Sequence, residues 1–144
     1  MPNRPIREII RNQRIVTVSK TASVRTAAHM MKEARIGALV VVDDGRLVGI
    51  FTERDALFRV LAGQLDPDRT TVAEVMTPDP TTIGPDRPIM HALHMMHDGA
   101  FRHLPVVERG RPVGVVSIRD AVGPEMVRFE QEVHDKEAIA EILG

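Results

Sequence analysis

The sequence predicts an α/β (α+β) fold built from two tandem β-α-β-β-α repeats that pack as one pseudo-two-fold module. The first observation is internal repetition: a shift of 65 positions aligns residues 16–56 with residues 81–121 without a gap, and 15 of the 41 pairs are identical. The second is that each copy contains a helical apolar stripe followed by two β-type runs. Since a half of about 60 residues buries only about 60% of its unfolded surface, we expect the copies to pack together through their sheets.

The first copy can be followed element by element. Residues 15–18 predict a short strand, and Thr21 is the predicted N-cap of the next helix. That helix has apolar side chains at the i, i+3, i+4, i+7 spacing of one buried face, namely Val24, Ala27, Ala28 and Met31. Asp44-Gly45 lies between two apolar runs and indicates a β-hairpin. A second helix is predicted from residue 53 to about residue 62, where Gly63 ends it.

The second copy has the same order of elements. Thr82-Ile83 matches the first strand, and the next helix is predicted to have Asp86 as its N-cap and Pro88 in its first turn. Its apolar stripe is Ile89, Ala92, Leu93 and Met96. Two β-type runs, residues 104–107 and 112–116, flank a turn around Gly110. Gly123-Pro124 then interrupts the copy.

These patterns set the predicted domain boundaries. Residues 6–63 form repeat 1, residues 64–75 a connector with a short helix, residues 76–122 repeat 2, and residues 124–143 a C-terminal helix. A short apolar helical turn precedes each copy. The C-terminal helix has a patchy apolar face, so we expect it to pack on a partner subunit or to extend over a rim.

One seven-residue motif ends both copies. It reads Gly-Ile-Phe-Thr-Glu-Arg-Asp at residues 49–55 and Gly-Val-Val-Ser-Ile-Arg-Asp at residues 114–120. In each, a strand-like run ends at a hydroxyl residue that would be the helix N-cap, and an Asp follows three positions later, close to a capping box. The unpaired N–H groups of a helix start also favour a phosphate. The motif is therefore either a plain helix cap or part of a phosphate site.

Composition narrows the class of protein. The 19 basic and 20 acidic residues give a net charge of −1, which argues against a broad nucleic-acid or membrane surface. The absence of cysteine excludes disulfides, thiol catalysis and thiolate metal sites. The longest apolar run, residues 36–42, is too short to span a bilayer, and residues 1–5 lack the apolar core of a signal peptide. We therefore expect a soluble, cytoplasmic protein.

The repeated unit resembles the cystathionine-β-synthase (CBS) domain pair, in its stand-alone bacterial type. The residues that carry the resemblance are the two seven-residue motifs, Val-Met-Thr-Pro-Asp-Pro at residues 75–80 and Arg-His-Leu-Pro-Val-Val at residues 102–107. They occur in the expected order, and the resemblance covers about residues 6–122. It implies a two-fold sandwich that binds adenosine-containing ligands in clefts between the copies. It also implies a homodimer, often a flat disc of four CBS units.

The resemblance also assigns site residues. It implies that Asp55 and Asp120 bind ribose hydroxyls and that Thr52 and Ser117 lie near the phosphate. A carboxylate accepts hydrogen bonds from both ribose hydroxyls; the alternative is a first-turn acid that only stabilises its helix. The motif also places Arg54 and Arg119 for phosphate binding, because the guanidinium fork gives paired charge-assisted hydrogen bonds. The alternative is a solvated arginine at a helix start.

The two copies differ just before their middle strands. Copy two has Arg102-His103, two potential phosphate donors, where copy one has Gly37-Ala38. We therefore expect the Ser117/Asp120 copy to have phosphate partners that the Thr52/Asp55 copy lacks, and the two sites to differ in affinity. Candidates to line an adenine slot are Thr17, Val18, Ile36 and Leu39 in one copy and Thr82, Ile83, Phe101, Leu104 and Pro105 in the other. For each, core packing is the competing interpretation.

Histidines recur every three residues on one predicted helix, at His91, His94 and His97. Steps of three spread these side chains over a wide arc, whereas zinc sites need three or four convergent ligands. We therefore predict no metal site and favour a solvated or interface face. No nucleophile, Walker or dinucleotide glycine motif is present, so we predict no catalytic residues and no enzyme.

Together these patterns predict a regulatory module that senses adenine nucleotides. An AMP-like ligand, ATP or a related adenosine nucleotide is the expected ligand rather than a catalytic cofactor, and occupancy would be reported to an unknown effector protein. Two alternatives stay open: a structural or adaptor dimerisation module with vestigial sites, and a regulatory protein that binds metal through histidines.

Overall fold

A computed structural model describes residues 4–143 of the chain. Residues 1–3, part of the segment assessed for a signal peptide, lie outside it, as does residue 144. The helices are α1 (Ile6–Ile10), α2 (Val24–Ala34), α3 (Glu53–Asp55, continued by a π-helical stretch Ala56–Leu61), α4 (Val72–Val75), α5 (Ile89–Gly99) and α6 (Gly123–Leu143). The strands are β1 (Thr17–Ser19), β2 (Ala38–Asp43), β3 (Arg46–Thr52), β4 (Thr77–Pro78), β5 (His103–Glu108) and β6 (Arg111–Ser117). None of the helices in the described part of the chain has the length and apolarity to cross a membrane.

Two small sheets carry the two copies. The first has the order β1-β2-β3-β4, with β1 parallel to β2 and the other pairs antiparallel. The second is the antiparallel β5–β6 pair, which Ile83 joins through a single parallel bridge to Val106. The predicted strand at Thr82-Ile83 is therefore reduced to one bridge. The mixed fold with two repeats is as predicted.

The predicted hairpin turns are confirmed. Asp44 and Gly45 have φ of 52° and 73°, and Arg109 and Gly110 have φ of 56° and 79°. Positive φ at both central residues gives the turn twist that suits antiparallel strands. Leu47 N donates a 3.2 Å hydrogen bond to Gly110 O, so the two turns meet.

Helix ends show where local patterns were misleading. The N-cap of α2 is Ser23, whose side chain accepts a hydrogen bond from Thr26 N, and not Thr21. The N-cap of α5 is Pro88, which precedes the helix, and not Asp86. Both predicted caps lie two residues early, because the chain makes an extended step before each helix. In copy two the motif ends in a single 3-10 turn, Ile118–Asp120, and α6 begins at Gly123.

Each core contains a helix that precedes the other copy in the sequence. Ile6 and Ile10 of α1 pack with Leu93, Leu104 and Val116 of copy two. Val72 and Val75 of α4 pack with Leu39, Val41 and Phe51 of copy one. The pattern extends to the strand edges: β4 pairs with β3, and the Gln13 side chain bonds both the N–H and the carbonyl of Val115 in β6, at 2.8 and 2.9 Å. The copies are thus bound to each other by exchanged segments.

The C-terminal helix packs on its own chain. Phe129 of α6 is buried in the second core, and its ring lies edge-on to His94 and His97 of α5. Arg4 bonds Glu125 of α6 at 2.8 Å and the Asp120 carbonyl at 2.8 Å, and this contact lowers the pKa of Glu125. The first half of α6 therefore covers the α5 side of copy two, while Ile139 and Ile142 remain exposed.

Candidate functional site: two clefts between the repeats

Both seven-residue motifs form capping boxes, as the sequence predicted. Asp55 Oδ2 accepts hydrogen bonds from Thr52 N at 2.9 Å and Thr52 Oγ1 at 3.1 Å, while Asp55 N donates to Thr52 Oγ1. Asp120 Oδ2 accepts from Ser117 N at 2.7 Å, and the Ser117 side chain accepts from the backbone that follows. Reciprocal bonds of this kind satisfy the open N–H groups of a helix start and fix the carboxylate in place.

The two aspartates differ in the partners of their second carboxylate oxygen. Asp55 is buried, and its second oxygen lies 3.4 Å from Nε of Arg59, one helical turn further on. The position aligned with Arg59 in copy two is Pro124. Accordingly, the second oxygen of half-buried Asp120 has no hydrogen-bond or ion-pair partner among residues 4–143. Asp120 therefore presents an open acceptor, whereas Asp55 shares its carboxylate with an arginine.

The first cleft, called here the Asp120 cleft, has a volume of about 640 Å³. One wall is the end of copy two's motif, Ser117–Asp120. The opposite wall is the segment Ile36-Gly37-Ala38 of copy one, together with part of α2. The charged side chains that line this cleft are mostly basic. Two are carboxylates, Glu53 and Asp120, and five are basic: Arg14, Lys32, Arg35, Arg102 and Arg119. Such a surface favours a ligand that carries negative charge.

The second cleft, called here the Asp55 cleft, is wider, with a volume of about 960 Å³. It joins the motif end Thr52–Asp55 of copy one to the segment Ala100–His103 of copy two. Leu57 and Phe58 add an apolar side, and Phe58 lies 5.1 Å under the guanidinium of Arg54. This cation–π contact holds Arg54 over the helix surface.

Each cleft thus combines the aspartate of one copy with the pre-strand segment of the other. The sequence led us to expect Arg102-His103 as partners of Ser117/Asp120 alone, and this is wrong in geometry: both residues line both clefts. The reason is the pseudo-two-fold packing, which brings the copy-two segment between the clefts. The structure does show another difference between the two aspartates, the Arg59–Asp55 pair.

His103 has an unusual electrostatic position. Burial lowers the pKa of His103, Arg119 and Arg102 lower it further, and Glu53 and Asp120 act in the opposite direction. Burial thus favours the neutral ring, and a negative group that comes close would favour the charged one.

The predicted adenine-lining residues divide into two groups. Ile36 lines the Asp120 cleft, next to the nucleotide-binding candidates Gly37 and Ala38, and Phe101 lines the Asp55 cleft. The others lie outside the lining of both clefts: Thr17, Val18, Leu39, Thr82, Ile83, Leu104 and Pro105. Leu39 and Leu104 have no exposed surface and belong to the cores. Core packing or strand pairing accounts for the members of this second group other than Thr82, which is exposed and lies outside the strands.

The histidine helix does not assemble a ligand set. Within residues 4–143 no group of three His, Cys, Asp or Glu side chains is placed to hold a metal ion. His94 Nε2 instead lies 2.7 Å from Glu132 Oε2 of α6, and His97 contacts the Phe129 ring. These histidines connect α5 to α6.

Three features of the clefts were not predicted from the sequence. The spacing of Asp55 and Arg59 is that of an i, i+4 ion pair on a helix, so the pair was predictable. Copy two has Pro124 at the position of Arg59 and cannot form it. Glu53 lines both clefts, yet at a helix start it looks like any first-turn acid. Arg14 and Arg35 line the Asp120 cleft from an irregular segment and a helix end, and no sequence pattern indicated either of them.

Comparison with known proteins gives a consistent picture. The CBS domain family model matches residues 6–62 and 72–123. The CBS domain-containing protein YhcV of Bacillus subtilis is 33% identical over 112 residues, which cover 78% of this chain and 79% of that protein. The CBS domain-containing protein CBSCBSPB1 of Arabidopsis thaliana is 43% identical over 106 residues, 73% of this chain; the match spans 20% of that longer protein.

Two solved structures bear on ligands. The CBS domain protein PAE2072 of Pyrobaculum aerophilum, complexed with AMP, is similar with a TM-score of 0.76 and 27% identity, covering 89% of this chain and 99% of that one. Hypoxic Response Protein I with two coordinated zinc ions is similar with a TM-score of 0.73 and 32% identity, covering 81% and 95%.

Proposed function

The chain belongs to the CBS domain family, and from that premise we propose that it is a regulatory module that binds an adenine nucleotide, AMP-like first, in the clefts between its two repeats. The observation that carries the proposal is the open carboxylate oxygen of Asp120, whose other oxygen accepts from Ser117 N, beside a cleft with five basic side chains. A ribose needs an acceptor for its hydroxyls and a phosphate needs cations within a few ångströms. The Asp120 cleft offers both.

In this proposal each residue has a defined task. Asp120 accepts from the ribose hydroxyls, while Arg119 and Arg102 bind the phosphate. Ile36 and Val16, both half-buried, supply apolar contact for the base. The Asp55 cleft is the weaker site, because a ribose there must displace Arg59 from the carboxylate. The AMP complex of the similar Pyrobaculum protein supports the choice of an AMP-like ligand.

The test is a titration with AMP, ADP, ATP, NAD(H) and S-adenosylmethionine, read as thermal stabilisation and by calorimetry. A ligand at about 100 times its Kd should stabilise the fold by roughly 2.7 kcal/mol. Asp120→Asn should remove most AMP binding, whereas Asp55→Asn should leave the tighter site intact. Arg102→Ala should weaken AMP more than adenosine; equal losses would contradict its phosphate role.

Other outcomes would favour the other functions. No response to any adenosine ligand would leave a structural or adaptor module with vestigial sites. A response to zinc alone would favour metal binding through histidines. We propose no catalytic step for either cleft, because the carboxylates are placed as capping acceptors.

We further propose that the protein acts as a cytoplasmic homodimer that reports ligand occupancy to an effector protein. Leu57, Phe58, Leu61 and Leu65 form an exposed apolar surface on and after α3, with Leu61 exposed by 72%. This surface, called here the α3 surface, begins at the rim of the Asp55 cleft, where Leu57 and Phe58 are lining residues. Closure around a ligand would therefore alter the dimer contact, a shift in population driven by differential affinity.

A further inference from the structure

The two clefts share one wall. Glu53, Arg102 and His103 line both of them. A Cβ placed on Gly37 would lie 3.1 Å from Glu53 Oε1 and 3.4 Å from His103 Nε2, so these two side chains approach the same point from opposite copies. Glu53 N also donates a 3.0 Å hydrogen bond to Gly37 O, which fixes the start of α3 against this wall.

Glu53 is the unusual member of the wall. Its side chain is exposed, and it makes no hydrogen bond or ion pair with any residue between 4 and 143. The aligned residue in copy two is Ile118, which packs against the second core. Glu53 thus places a carboxylate without an ion-pair partner in the wall that the two clefts share, and copy two has no equivalent of it.

We propose that Glu53 selects ligands by charge: it limits how much negative charge either cleft accepts, and so favours a nucleoside monophosphate over a triphosphate. The inference rests on the proposed function for the identity of the ligand. Arg102, the cation that attracts a phosphate, lines both clefts together with Glu53, so a longer phosphate chain brings more negative charge toward the carboxylate. Like charges a few ångströms apart repel even at a protein surface, where the effective dielectric constant is lower than that of bulk water.

The test compares Glu53→Gln with wild type by calorimetric titration with AMP and ATP. Gln keeps the shape and removes the charge. We expect ATP affinity to rise about tenfold and AMP affinity about threefold, since the triphosphate carries more charge past the wall. Glu130→Gln on the exposed face of α6 is the matched control and should change neither affinity by more than about twofold. Equal changes for AMP and ATP, or none, would overturn the proposal.

Inorganic phosphate and tripolyphosphate separate this inference from the proposed function. If wild type binds no adenine nucleotide, the adenine assignment fails, while Glu53→Gln must still strengthen tripolyphosphate binding more than phosphate binding. If nucleotides bind but Glu53→Gln leaves the ratio of tripolyphosphate to phosphate affinity unchanged, the charge selection fails alone. Thermal unfolding of ligand-free Glu53→Gln should match wild type, because the side chain makes no fixed contact.

Discussion

At the scale of single residues, the same motif has two different energetic roles. The Asp55 carboxylate is buried, accepts two hydrogen bonds from Thr52 and lies beside Arg59. The Asp120 carboxylate is half-buried and accepts one hydrogen bond from Ser117. We therefore expect Asp55 to act mainly as a structural cap and Asp120 to be the better ligand acceptor.

Alanine substitution should separate these roles. Asp55→Ala leaves the Thr52 N–H and hydroxyl without their acceptor, and we expect it to lower the free energy of unfolding by about 1–2 kcal/mol. Asp120→Ala should cost about 0.5–1 kcal/mol and act mainly on ligand binding. Urea denaturation without ligand measures both. A larger cost for Asp120→Ala would contradict the assignment.

A second residue-scale prediction concerns pH. Burial lowers the pKa of His103 in the free protein, and a bound phosphate would favour the charged ring and raise that pKa. Binding then takes up a proton, so AMP affinity should increase as the pH falls from about 8 to 6. Glu53, Asp120, Arg102 and Arg119 act on the ring in free and bound protein alike.

The control for this prediction is His103→Gln. In this variant the pH dependence of AMP affinity reflects protonation of the phosphate but not of His103. The difference between the pH profiles of the two proteins therefore reports the contribution of the His103 ring. Identical pH profiles would rule out a role for His103 in phosphate binding.

The residue scale also shows what the sequence could foresee. Both capping boxes followed from the hydroxyl-x-x-Asp spacing, because that contact is local. The shared wall could not be foreseen, since Glu53 and His103 are 50 positions apart and meet only through the pseudo-two-fold packing.

At the scale of elements, α6 depends on one anchor. Phe129 is 7% exposed, and its ring centroid lies 5.0 Å from that of His94 and 5.8 Å from that of His97. Phe129→Ala should lower the free energy of unfolding by about 3 kcal/mol. Val127→Ala, 68% exposed on the same helix, should cost only a few tenths. Equal values in urea denaturation would mean that α6 is not packed as described.

Helix existence was predictable from periodicity, but helix ends and partners were not. The apolar stripes of α2 and α5 are local patterns, and both helices formed. Their N-caps lie at Ser23 and Pro88 because the chain first makes an extended step. The patchy face of α6 gave no sign that Phe129 would be buried against α5, since that contact depends on where the chain turns after Asp120.

At the scale of the whole molecule, exchanged segments should make folding cooperative. Ile6 is fully buried in the core of copy two although it precedes copy one in the sequence. Ile6→Ala should therefore destabilise the protein by about 2–4 kcal/mol and shift one common transition. Ile142→Ala, 82% exposed, is the control. Separate transitions by circular dichroism and calorimetry would show that the copies unfold independently.

The repeat predicted two packed copies but not the exchange of α1 and α4 between their cores. The two short helical turns have similar sequences, so the sequence does not show which core each one enters. The exchange also bears on the dimer. The helices α1 and α4 pack into the cores, whereas the α3 surface is exposed and begins at the rim of the Asp55 cleft. Because exposed apolar patches are common at protein–protein contacts, the α3 surface is our candidate for the proposed dimer interface.

Leu61→Glu tests the homodimer directly. Leu61 is 72% exposed and does not line the Asp55 cleft, so the charge should break a subunit contact without disturbing ligand contacts. We expect wild type to sediment as a dimer at micromolar concentration and Leu61→Glu as a monomer, because a carboxylate buried in an apolar interface costs several kcal/mol. Val127→Glu, equally charged but on α6, should remain a dimer. A monomeric wild type, or dimers for all three, would exclude the α3 surface as the interface.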